Sequence, residues 1–559
     1  MSTADAATLR PFLWEKSYPP GVRWDAPIEP TTVTTLFDRA VIRFAEKPAL
    51  SFFGRTLSFR DFGDHVDRLA SALTGLGIGR DTPVALFLPN TPWHPVFFFA
   101  ILKVGGRVVH VSPLDAEREI VHKLKDSGAK LLVTTDIVPQ LVEGAKKICA
   151  ADLVPKIVVG ENGYWFGKPS EVATDDKTLS GAALLAAKPK AANSYPARSI
   201  EDVAVLQYTG GTTGLPKAAM LTHANLTSAL AIIRNWAEPQ GMIRYGDDTS
   251  VLVLPLFHIF ALMTMLAGVQ YGNHTVLHPR FDPEAVVADI ERYRPTGFSG
   301  VPTMWIAIAN MPGIDTRDLS SLKVTRSGGA ACPVEIENRI MQLTGTRLGG
   351  GWGMTETSPV GTSVVTTGPL QKGGTIGLPL PGLIMDIVSL DDPRKKLGTG
   401  EIGEIRIKGP NVITSYYNRP DENAKSFVDG YLLTGDIGSM DDDGFFFIVD
   451  RKKDMIISGG FNVYPRFIEE AIFEHPSVNE VIVIGIPDAY RGEAAKAFVS
   501  LKPGMAEFSM DELRAFLADK LGKHELPAEL EFRAVLPKTA VGKLSKTELV
   551  AEDRAKRKG

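Results

Sequence analysis

Short apolar runs alternate along most of the chain with stretches whose apolar residues recur every three or four positions. Residues 32–44 and 61–76 have this helical period, whereas residues 84–88 and 130–134 are short apolar runs typical of buried strands. Residues 49–59 form two strand-like stretches around a short turn. Alternation of strands and helices predicts parallel sheets covered by helices, which is the α/β class.

The pattern changes further along the chain. Residues 166–199 are rich in Ala, Lys, Ser and Pro and have no clear period, which predicts a surface excursion. From Gly374 onward short strands and glycine turns predominate, and residues 400–409 alternate with period two, which predicts a half-exposed strand. Residues 450–454 form a charge run typical of a solvated loop or linker. A unit of about 100 residues, a common domain size, follows this run and ends in a basic tail that we expect to fray.

The composition restricts the class of protein without identifying it. With 559 residues the chain is too long for one core, so we expect about three to four structural units. An apolar fraction of 44% and a charged fraction of 23% are ordinary for a globular protein. The net charge of −4 gives no reason to expect a nucleic-acid partner or binding to an acidic membrane surface.

Apolar runs and cysteines indicate where the protein works. The longest apolar run, residues 96–102, is far shorter than the roughly 20 residues that span a bilayer, so no transmembrane segment is expected. Cys149 and Cys332 are too few for a zinc site or a disulfide scaffold, and they fit a reducing compartment. We therefore predict a soluble cytoplasmic protein.

The densest cluster of candidate chemistry is the loop from Tyr208 to Lys217, which follows the apolar run 203–206. Between its ends lie Thr209, Gly210, Gly211, Thr212, Thr213 and Gly214. Small residues leave backbone N–H groups free to converge on an anion, the threonine hydroxyls add donors, and Lys217 adds positive charge. A Walker loop has glycine before its lysine and Ser or Thr after it, whereas Pro216 and Ala218 flank Lys217. The sequence predicts a phosphate-binding loop of another type, with an exposed turn as the alternative.

Other positions have both a functional and a structural interpretation. His258 follows the apolar run 251–257 and is either a functional group or a hydrogen-bonded core residue. Glu356, in the glycine-containing turn 351–357, could hold Mg²⁺ through oxygen or be a solvated residue beside an N-capping threonine. Asp436 could accept hydrogen bonds from two vicinal hydroxyls, as carboxylates do for ribose, or be an ordinary turn aspartate.

The order and spacing of these motifs are more specific than any one of them. Together they resemble the AMP-forming acyl-CoA synthetases, the adenylating superfamily that includes fatty-acyl- and coumarate-CoA ligases, luciferase and peptide-synthetase adenylation domains. The resemblance extends from about residue 30 to 548. The stretches that carry it are Tyr208–Lys217, Pro255–Phe260, Ser327–Ala331, Gly351–Thr357, Tyr431–Asp436, Asp450–Tyr464 and Pro537–Lys543.

The resemblance implies both an architecture and a reaction. A large N-terminal domain, residues 1–452, would contain two doubly wound subdomains and a distorted β-barrel at about residues 374–450. A small mobile α+β domain, residues 453–559, would follow, with Lys453 at the hinge. In the first half-reaction a carboxylate attacks the α-phosphate of Mg·ATP and gives acyl-AMP and pyrophosphate; coenzyme A then takes the acyl group and AMP is released. The first step joins an anion to a polyanion, so it needs charge neutralisation more than an acid or a base.

The resemblance also assigns nucleotide contacts. Glu356 would bind Mg²⁺, Thr355 would reach the α-phosphate, and Asp436 with Arg451 would hold the ribose hydroxyls. The β- and γ-phosphates would be held by Thr209, Thr212, Thr213, Gly214 and Lys217, within the loop that also includes Gly210 and Gly211. The adenine slot would be formed by Gly329, Ala330, Gly351, Trp352 and Gly353.

Lys543 aligns with the family lysine that bridges the carboxylate and the α-phosphate during adenylation. Its ammonium is a compact charge on a flexible stem, suited to a site that it must enter and leave. Rotation at Lys453 would withdraw it and present Gly459, Gly460 and Phe461 to the pantetheine arm of coenzyme A. The stretch around Lys543 also resembles a segment that is acetylated in family members, and acetylation would remove the needed charge. A lysine acetyltransferase and deacetylase, and a homodimer, are therefore further expectations.

The acyl pocket implied by family position comprises His258, Phe260, Thr264, Arg326, Gly349, Gly350, Gly351 and Pro359. Because the glycine run adds no side-chain bulk, we expect a slot for a medium or long chain rather than for acetate. Arg326 departs from the small or apolar residue expected in fatty-acyl and aryl relatives. A buried arginine needs an anionic partner or a solvated route. It would meet either the distal carboxylate of a pimelate-like dicarboxylic acid or a carboxylate of the protein itself.

The predicted function is an ATP-dependent acyl-CoA ligase for a medium- or long-chain acid, with a dicarboxylate-CoA ligase as the first alternative. An aryl-CoA ligase and an adenylation enzyme that loads a separate carrier protein are further alternatives. Only 16 residues follow Lys543, so the chain itself carries no carrier domain there. Activity with free coenzyme A distinguishes a ligase from a carrier-loading enzyme.

Overall fold

The computed structural model describes residues 10–168, 172–191, 194–209, 215–329, 332, 334–366, 370–459, 461–539 and 544–558. Its strands are β1 (Pro48–Phe52), β2 (Arg55–Ser58), β3 (Pro83–Leu86), β4 (Arg107–His110), β5 (Leu131–Thr135), β6 (Ile157–Gly160), β7 (Thr178–Ser180), β8 (Val203–Thr209), β9 (Lys217–Thr222), β10 (Thr249–Leu252), β11 (His274–Leu277), β12 (Gly297–Gly300), β13 (Val324–Ser327), β14 (Leu348–Gly350), β15 (Thr362–Ser363), β16 (Leu378–Pro379), β17 (Ile384–Val388), β18 (Gly403–Lys408), β19 (Phe427–Val428), β20 (Tyr431–Met440), β21 (Phe446–Arg451), β22 (Ile456–Ser458), β23 (Phe461–Val463), β24 (Val478–Asp488), β25 (Gly492–Leu501) and β26 (Glu529–Phe532). Its helices are α1 (Val33–Arg43), α2 (Phe59–Gly75), α3 (Trp93–Val104), α4 (Glu117–Ser127), α5 (Pro139–Ala150), α6 (Gly181–Leu184), α7 (His223–Ala237), α8 (Ile259–Tyr271), α9 (Pro283–Tyr293), α10 (Pro302–Ala309), α11 (Val334–Thr344), α12 (Pro420–Ser426), α13 (Pro465–Phe473), α14 (Met510–Leu517) and α15 (Lys546–Lys558).

Two seven-stranded sheets form the larger, N-terminal part of the described chain. One has the strand order β7–β6–β5–β3–β4–β8–β9 and the other the order β14–β13–β12–β10–β11–β1–β2. Neighbouring strands are parallel except for the pairs β8–β9 and β1–β2, which are antiparallel edges. Parallel strands joined by helices confirm the predicted doubly wound α/β architecture.

Helix α3, which contains the longest apolar run of the sequence, lies in the core. Eleven of its 12 residues are buried, so it is apolar on all sides rather than along one stripe. Phe99 stacks on Phe37 of α1 with ring centroids 4.2 Å apart, and Phe62 of α2 completes this aromatic cluster. Among the described residues, no helix combines the length and the apolar character needed to cross a membrane.

The C-terminal part contains mainly antiparallel sheets, with a parallel pairing between β25 and β26. Strands β17–β18–β20–β19, with β21 paired to β20, form the sheet that corresponds to the predicted barrel region. Strands β23–β22–β25–β24, with β26 paired to β25, form the last sheet. The chain passes from one sheet to the other between Arg451, where β21 ends, and Ile456, where β22 begins. The predicted hinge residue Lys453 lies within this connection.

The prediction that residues 400–409 form a half-exposed strand is wrong, because β18 is buried along most of its length. Its polar residues are paired rather than solvated. Glu404 accepts a 2.8 Å hydrogen bond from Lys452, and Arg406 donates a 3.0 Å hydrogen bond to Asp386. Buried charges are tolerated when they are paired in this way, so alternation of polar and apolar residues does not indicate an exposed face here.

Two segments expected to be irregular contribute regular structure. Within residues 166–199, β7 adds an edge strand to the first sheet through parallel pairing with β6. The basic tail forms α15 instead of fraying, since Leu549 is buried and Asp553 accepts a 2.9 Å hydrogen bond from the buried Lys496 of β25. Long-range burial, which local composition does not reveal, orders both segments.

Candidate active site

The two ends of the predicted phosphate loop lie in paired antiparallel strands. Thr209 ends β8 and pairs across the hairpin with Lys217, which begins β9. Residues Gly210, Gly211, Thr212, Thr213 and Gly214 lie outside the described residues. The Tyr208 hydroxyl donates a 2.8 Å hydrogen bond to Asp126 of α4, which anchors this end of β8. The loop thus leaves the carboxyl end of a strand in a parallel sheet, where ligands commonly bind in open α/β folds.

Lys217 begins a series of polar contacts. Its Nζ atom donates a 2.9 Å hydrogen bond to Glu422 of α12 and lies 4.1 Å from the centroid of the Tyr416 ring. The Tyr416 hydroxyl in turn donates a 2.8 Å hydrogen bond to Oε1 of Glu356. Burial and the neighbouring Glu356 carboxylate raise the pKa of Tyr416 well above its usual range, so its hydroxyl stays protonated.

Glu356 is buried in a short 3-10 turn, Thr355–Thr357. The sequence alone allowed two interpretations of this residue, a Mg²⁺ ligand or a solvated side chain. It is 4% exposed, so it is not a solvated surface residue. Thr355 beside it is partly exposed. Tyr416 and Glu422, which connect Glu356 to Lys217, were not found by sequence analysis.

Asp436 is buried at a junction of two β-strands. It pairs with Arg451 across β20 and β21, and the Arg451 Nε atom lies 2.5 Å from Oδ1 of Asp436. The indole Nε1 of Trp352 donates a 2.6 Å hydrogen bond to the other carboxylate oxygen. Burial raises the pKa of Asp436, while Arg451 and Trp352 oppose that rise. An ordinary turn aspartate would be exposed, whereas this carboxylate is 1% exposed.

The glycines on either side of Trp352 allow the backbone of neighbouring segments to approach closely. A Cβ at Gly351 would lie 2.2 Å from the Thr362 carbonyl oxygen, and a Cβ at Gly353 would lie 1.8 Å from the Pro359 oxygen. The side-chain space at Gly351 is therefore occupied by the backbone of Thr362 rather than left open. Gly329 has a φ of +87°, in the left-handed region that favours glycine. Ala330 lies outside the described residues.

Lys453 lies near both halves of this site. It is exposed, and it lies within electrostatic range of Asp436 and Lys217. Partial desolvation by the surrounding protein lowers the pKa of its ammonium although the side chain is exposed, and the charges of Arg451 and Lys217 lower it further. Arg451 and Lys217 are thus both close enough to Lys453 to affect its charge.

The C-terminal residues assigned by resemblance are only partly described. Gly459 lies in the turn between β22 and β23 with a φ of +58°, and Phe461 beside it is 60% exposed. Gly460 and Lys543 lie outside the described residues. The segment that contains Lys543 is flanked by an antiparallel bridge between Lys538 and Leu544.

The predicted acyl-pocket residues lie in two places: His258, Phe260 and Thr264 lie at the amino end of α8, and Arg326, Gly349 and Gly350 lie on β13 and β14. The His258 side chain caps this helix by accepting a 3.3 Å hydrogen bond from the Phe260 amide. Thr264 lies one turn further along, and its hydroxyl donates to the Phe260 carbonyl oxygen. Gly349 pairs with Arg326 across β13 and β14, and Gly350 ends β14. Pro359 is partly exposed, and its carbonyl approaches Gly353 rather than α8.

This fold, with a hairpin loop at the edge of one sheet and a buried carboxylate beside the last domain, is that of an adenylate-forming enzyme. The family model described as AMP-binding enzyme matches residues 37–417, and the model described as AMP-binding enzyme C-terminal domain matches residues 468–543. The chain belongs to the AMP-binding enzyme family.

Individual relatives match nearly the whole chain. The long-chain-fatty-acid–CoA ligase of Bacillus subtilis strain 168 is 36% identical over 97% of this chain and 98% of its own length. The crystal structure of ATP-bound MatB from Rhodopseudomonas palustris is similar with a TM-score of 0.83 and 27% identity, covering 93% of this chain and 99% of that one. The O-succinylbenzoate coenzyme A synthetase (MenE) from Bacillus subtilis, in complex with ATP and magnesium ion, has a TM-score of 0.76 and 27% identity over 91% and 98% of the two chains.

Proposed function

We propose that this protein is an ATP-dependent acyl-CoA ligase for a medium- or long-chain carboxylic acid. In the first half-reaction a carboxylate oxygen bonds to the α-phosphorus of ATP, and the bond from that phosphorus to the bridging oxygen breaks as pyrophosphate leaves. In the second, the sulfur of coenzyme A bonds to the acyl carbon, the acyl–phosphate C–O bond breaks, and AMP leaves while the thiol proton passes to solvent. Full-length similarity to a long-chain-fatty-acid–CoA ligase supports this reaction.

The observation that carries the proposal is that two residue sets lie near one residue, Lys453. Lys217, at the phosphate-loop hairpin, and Asp436, with Trp352 and Arg451, both lie within electrostatic range of Lys453. A buried carboxylate beside an indole suits a ribose and its base, and cations next to it suit phosphates. Because the reacting groups are both anionic, cationic side chains in this position lower the barrier to their approach.

The donor set also fits Mg²⁺. Glu356 provides a buried carboxylate whose Oε1 atom is already oriented by Tyr416, and carboxylate oxygen is a ligand that Mg²⁺ prefers. No group of three or more His, Cys, Asp or Glu side chains able to hold a metal occurs among the described residues. Mg²⁺ is usually bound through one or two carboxylates together with substrate phosphates rather than by a cage of protein ligands. When bound, the metal neutralises phosphate charge; Glu356 would hold it and Thr355 would contact the α-phosphate.

The second half-reaction needs a different group at the acyl carbon. We propose that the C-terminal domain turns at Lys453, which lies in the short connection between β21 and β22. Few residues are enough for such a hinge. The exposed Phe461, next to the glycine turn at Gly459, is then available to line the path of the pantetheine arm.

The test separates the two half-reactions. Lys543→Ala is expected to abolish acyl-AMP formation, measured as acid-dependent exchange of labelled pyrophosphate into ATP, because it removes the charge that bridges the two anions. Transfer from supplied acyl-AMP to coenzyme A should persist in the same variant. Lys523→Ala, which alters an exposed lysine of the same domain, is the matched control and should retain both activities.

Each outcome bears on a different part of the proposal. Equal loss of both half-reactions in Lys543→Ala would contradict the role of Lys543. Absence of acyl-CoA formation from free coenzyme A by the unaltered protein, with acyl-AMP still formed, would favour an enzyme that loads a carrier protein. A cytoplasmic location, a homodimer and acetylation of Lys543 remain predictions from composition and resemblance.

A further inference from the structure

One side of α8 is only partly buried. Phe260, Thr264 and Ala267 are partly exposed, and their spacing of three or four residues places them along one side of the helix. Gln270 is also partly exposed, but it lines a different pocket together with residues of α1 and α7. Phe260 points at the sheet, since a Cβ on Gly328, just after β13, would lie 2.8 Å from its ring. The side of α8 that carries Phe260 and Thr264 is therefore partly open to solvent and begins against the sheet, and it holds two of the residues expected in the acyl pocket.

The same side of α8 ends at Tyr271, which follows Phe260 by three helical turns, about 16 Å along the axis at 1.5 Å per residue. Tyr271 is 7% exposed, and its hydroxyl makes no hydrogen bond with any described residue. A buried hydroxyl without a partner is destabilising, and native structures rarely leave one. The Tyr271 hydroxyl is therefore available to donate to an acceptor that the described part of the chain does not supply.

Arg326 projects into the same space from the sheet. Side chains two residues apart on a strand share a face, so Arg326 lies on the face of Gly328, which is the face toward α8. The Trp305 indole donates a 3.0 Å hydrogen bond to the Arg326 carbonyl oxygen and fixes the strand there. Arg326 lies within electrostatic range of Tyr271: burial raises the pKa of that hydroxyl, and the charge of Arg326 opposes the rise.

No described carboxylate compensates the charge of Arg326. None lies within 4.0 Å of its guanidinium in the described part of the chain, and no described side chain forms a hydrogen bond with it. Outside the described residues the sequence has only two Asp or Glu residues, Asp5 and Glu171. A cation removed from bulk water is stable only with an anion or with water beside it. The alternative expectation, that Arg326 pairs with a carboxylate of the protein itself, therefore has no support among these residues.

We propose that Arg326 and Tyr271 bind an anionic group at the far end of the acyl substrate, so that the preferred acid is an α,ω-dicarboxylate. This inference deepens the proposed acyl-CoA ligase function and rests on it. One carboxylate of the acid is activated at the nucleotide, near His258 and Phe260. The other accepts hydrogen bonds from the guanidinium of Arg326 and the hydroxyl of Tyr271, and the apolar chain between them lies along α8. A planar guanidinium is well suited to a carboxylate because it can donate two parallel hydrogen bonds.

The experiment compares matched pairs of acids of equal length, chosen to range up to the span of α8: octanedioate with octanoate, decanedioate with decanoate, and tetradecanedioate with tetradecanoate. AMP release is measured with ATP, Mg²⁺ and coenzyme A, and the ratio of kcat/KM for diacid to monoacid is the readout. The unaltered protein should favour the diacid in at least one pair. Loss of one partner of a buried charged pair should lower this ratio by about thirtyfold or more in Arg326→Met. Tyr271→Phe, which keeps the ring, should lower it by about fivefold, the size of one neutral hydrogen bond.

Controls separate recognition from folding. Arg280→Met alters an exposed arginine of the same domain and should leave the ratio unchanged. The thermal midpoint of Arg326→Met without substrate should equal or exceed that of the unaltered protein, because the variant removes a cation that desolvation disfavours and that no described carboxylate pairs with. A lower midpoint, together with an unchanged ratio, would instead make Arg326 a structural residue and overturn the inference.

The remaining outcomes distinguish this inference from the proposed function. Turnover of every monoacid with no advantage for any diacid overturns the role of Arg326 and leaves the acyl-CoA ligase standing. Failure to release AMP with any of the six acids counts against the proposed acyl-CoA ligase function itself, because recognition of a distal carboxylate requires that the acid is activated at all.

Discussion

The indole N–H of Trp352 donates a 2.6 Å hydrogen bond to the buried carboxylate of Asp436. Arg451 pairs with the other oxygen, so the carboxylate is fixed from two sides. Replacing Asp436 by Ala should lower kcat/KM for ATP by about tenfold to a hundredfold, since a hydrogen bond to a charged group contributes about 1.5–3 kcal/mol. Steady-state AMP release at varied ATP measures this effect. The exposed Asp391→Ala is the matched control, and an equal effect in both variants would contradict a ribose-binding role.

The Asp436 carboxylate, which should favour catalysis, is expected to lower the free energy of unfolding as the pH rises. Burial raises the pKa of Asp436 above that of the unfolded chain, about 3.9, so the native state binds more protons than the unfolded state between the two values. The contribution of Asp436 to the free energy of unfolding therefore falls as the pH rises through this interval. Asp436→Asn lacks this titration. Its stability relative to the unaltered protein, measured by urea unfolding without nucleotide, should increase from about pH 4 upward and then level off; a difference independent of pH would contradict the assignment.

Local sequence patterns were sufficient to predict structure where the residues that determine an element lie next to one another in the chain. Asp282 and Pro283 begin α9, a start encoded locally in the sequence, because the Asp282 carboxylate accepts a hydrogen bond from the Ala285 amide within the first turn. The polar residues of β18 were misleading, because Glu404 and Arg406 are buried with charged partners at distant positions. The alternation with period two correctly predicted a strand there, but the strand does not have the exposed polar face that such alternation usually indicates.

The candidate site shows the same division between local and distant information. Glu356 and Asp436 could be found because each lies in a motif of consecutive residues. Glu422 could not, since it meets Lys217 across 205 residues of sequence and lies in a helix of ordinary composition. The partner status of Arg326 was likewise undecidable from the chain alone, because it depends on which carboxylates the fold brings near β13.

Asp450 connects the sheet that ends at Arg451 with the C-terminal domain. Its Oδ2 atom accepts a 2.8 Å hydrogen bond from the Arg466 amide in the first turn of α13, and Lys546 lies within electrostatic range. Because such capping contributes about 0.5–2 kcal/mol, Asp450→Ala should destabilise this domain orientation and change the ratio of the two half-reaction rates by about twofold to thirtyfold. Rapid-quench measurement of acyl-AMP formation and of thioester formation gives that ratio. Equal slowing of both steps would indicate a loss of folding instead of a shift in orientation.

Glu422 competes with the nucleotide for Lys217. The Lys217 ammonium is 2.9 Å from the Glu422 carboxylate, and this pairing lowers the pKa of Glu422. Both side chains are partly solvated, and exposed ion pairs contribute about 0.2–1 kcal/mol, so the competition is weak. Glu422→Gln should therefore lower the KM for ATP by about twofold to fivefold, because Lys217 no longer has to leave a carboxylate before it meets the phosphates. Lys217→Met should raise the same KM.

Two controls, the dependence on salt and a substitution of a second glutamate, test whether the change in the KM for ATP comes from the Lys217–Glu422 pair. Added salt screens exposed charges, so the difference in KM between Glu422→Gln and the unaltered protein should shrink as ionic strength rises. Glu507→Gln removes one negative charge at an exposed position of the C-terminal domain and should leave the KM for ATP unchanged. A higher KM in Glu422→Gln would mean that Glu422 positions Lys217 for the phosphates, because a competing carboxylate cannot weaken binding when it is removed.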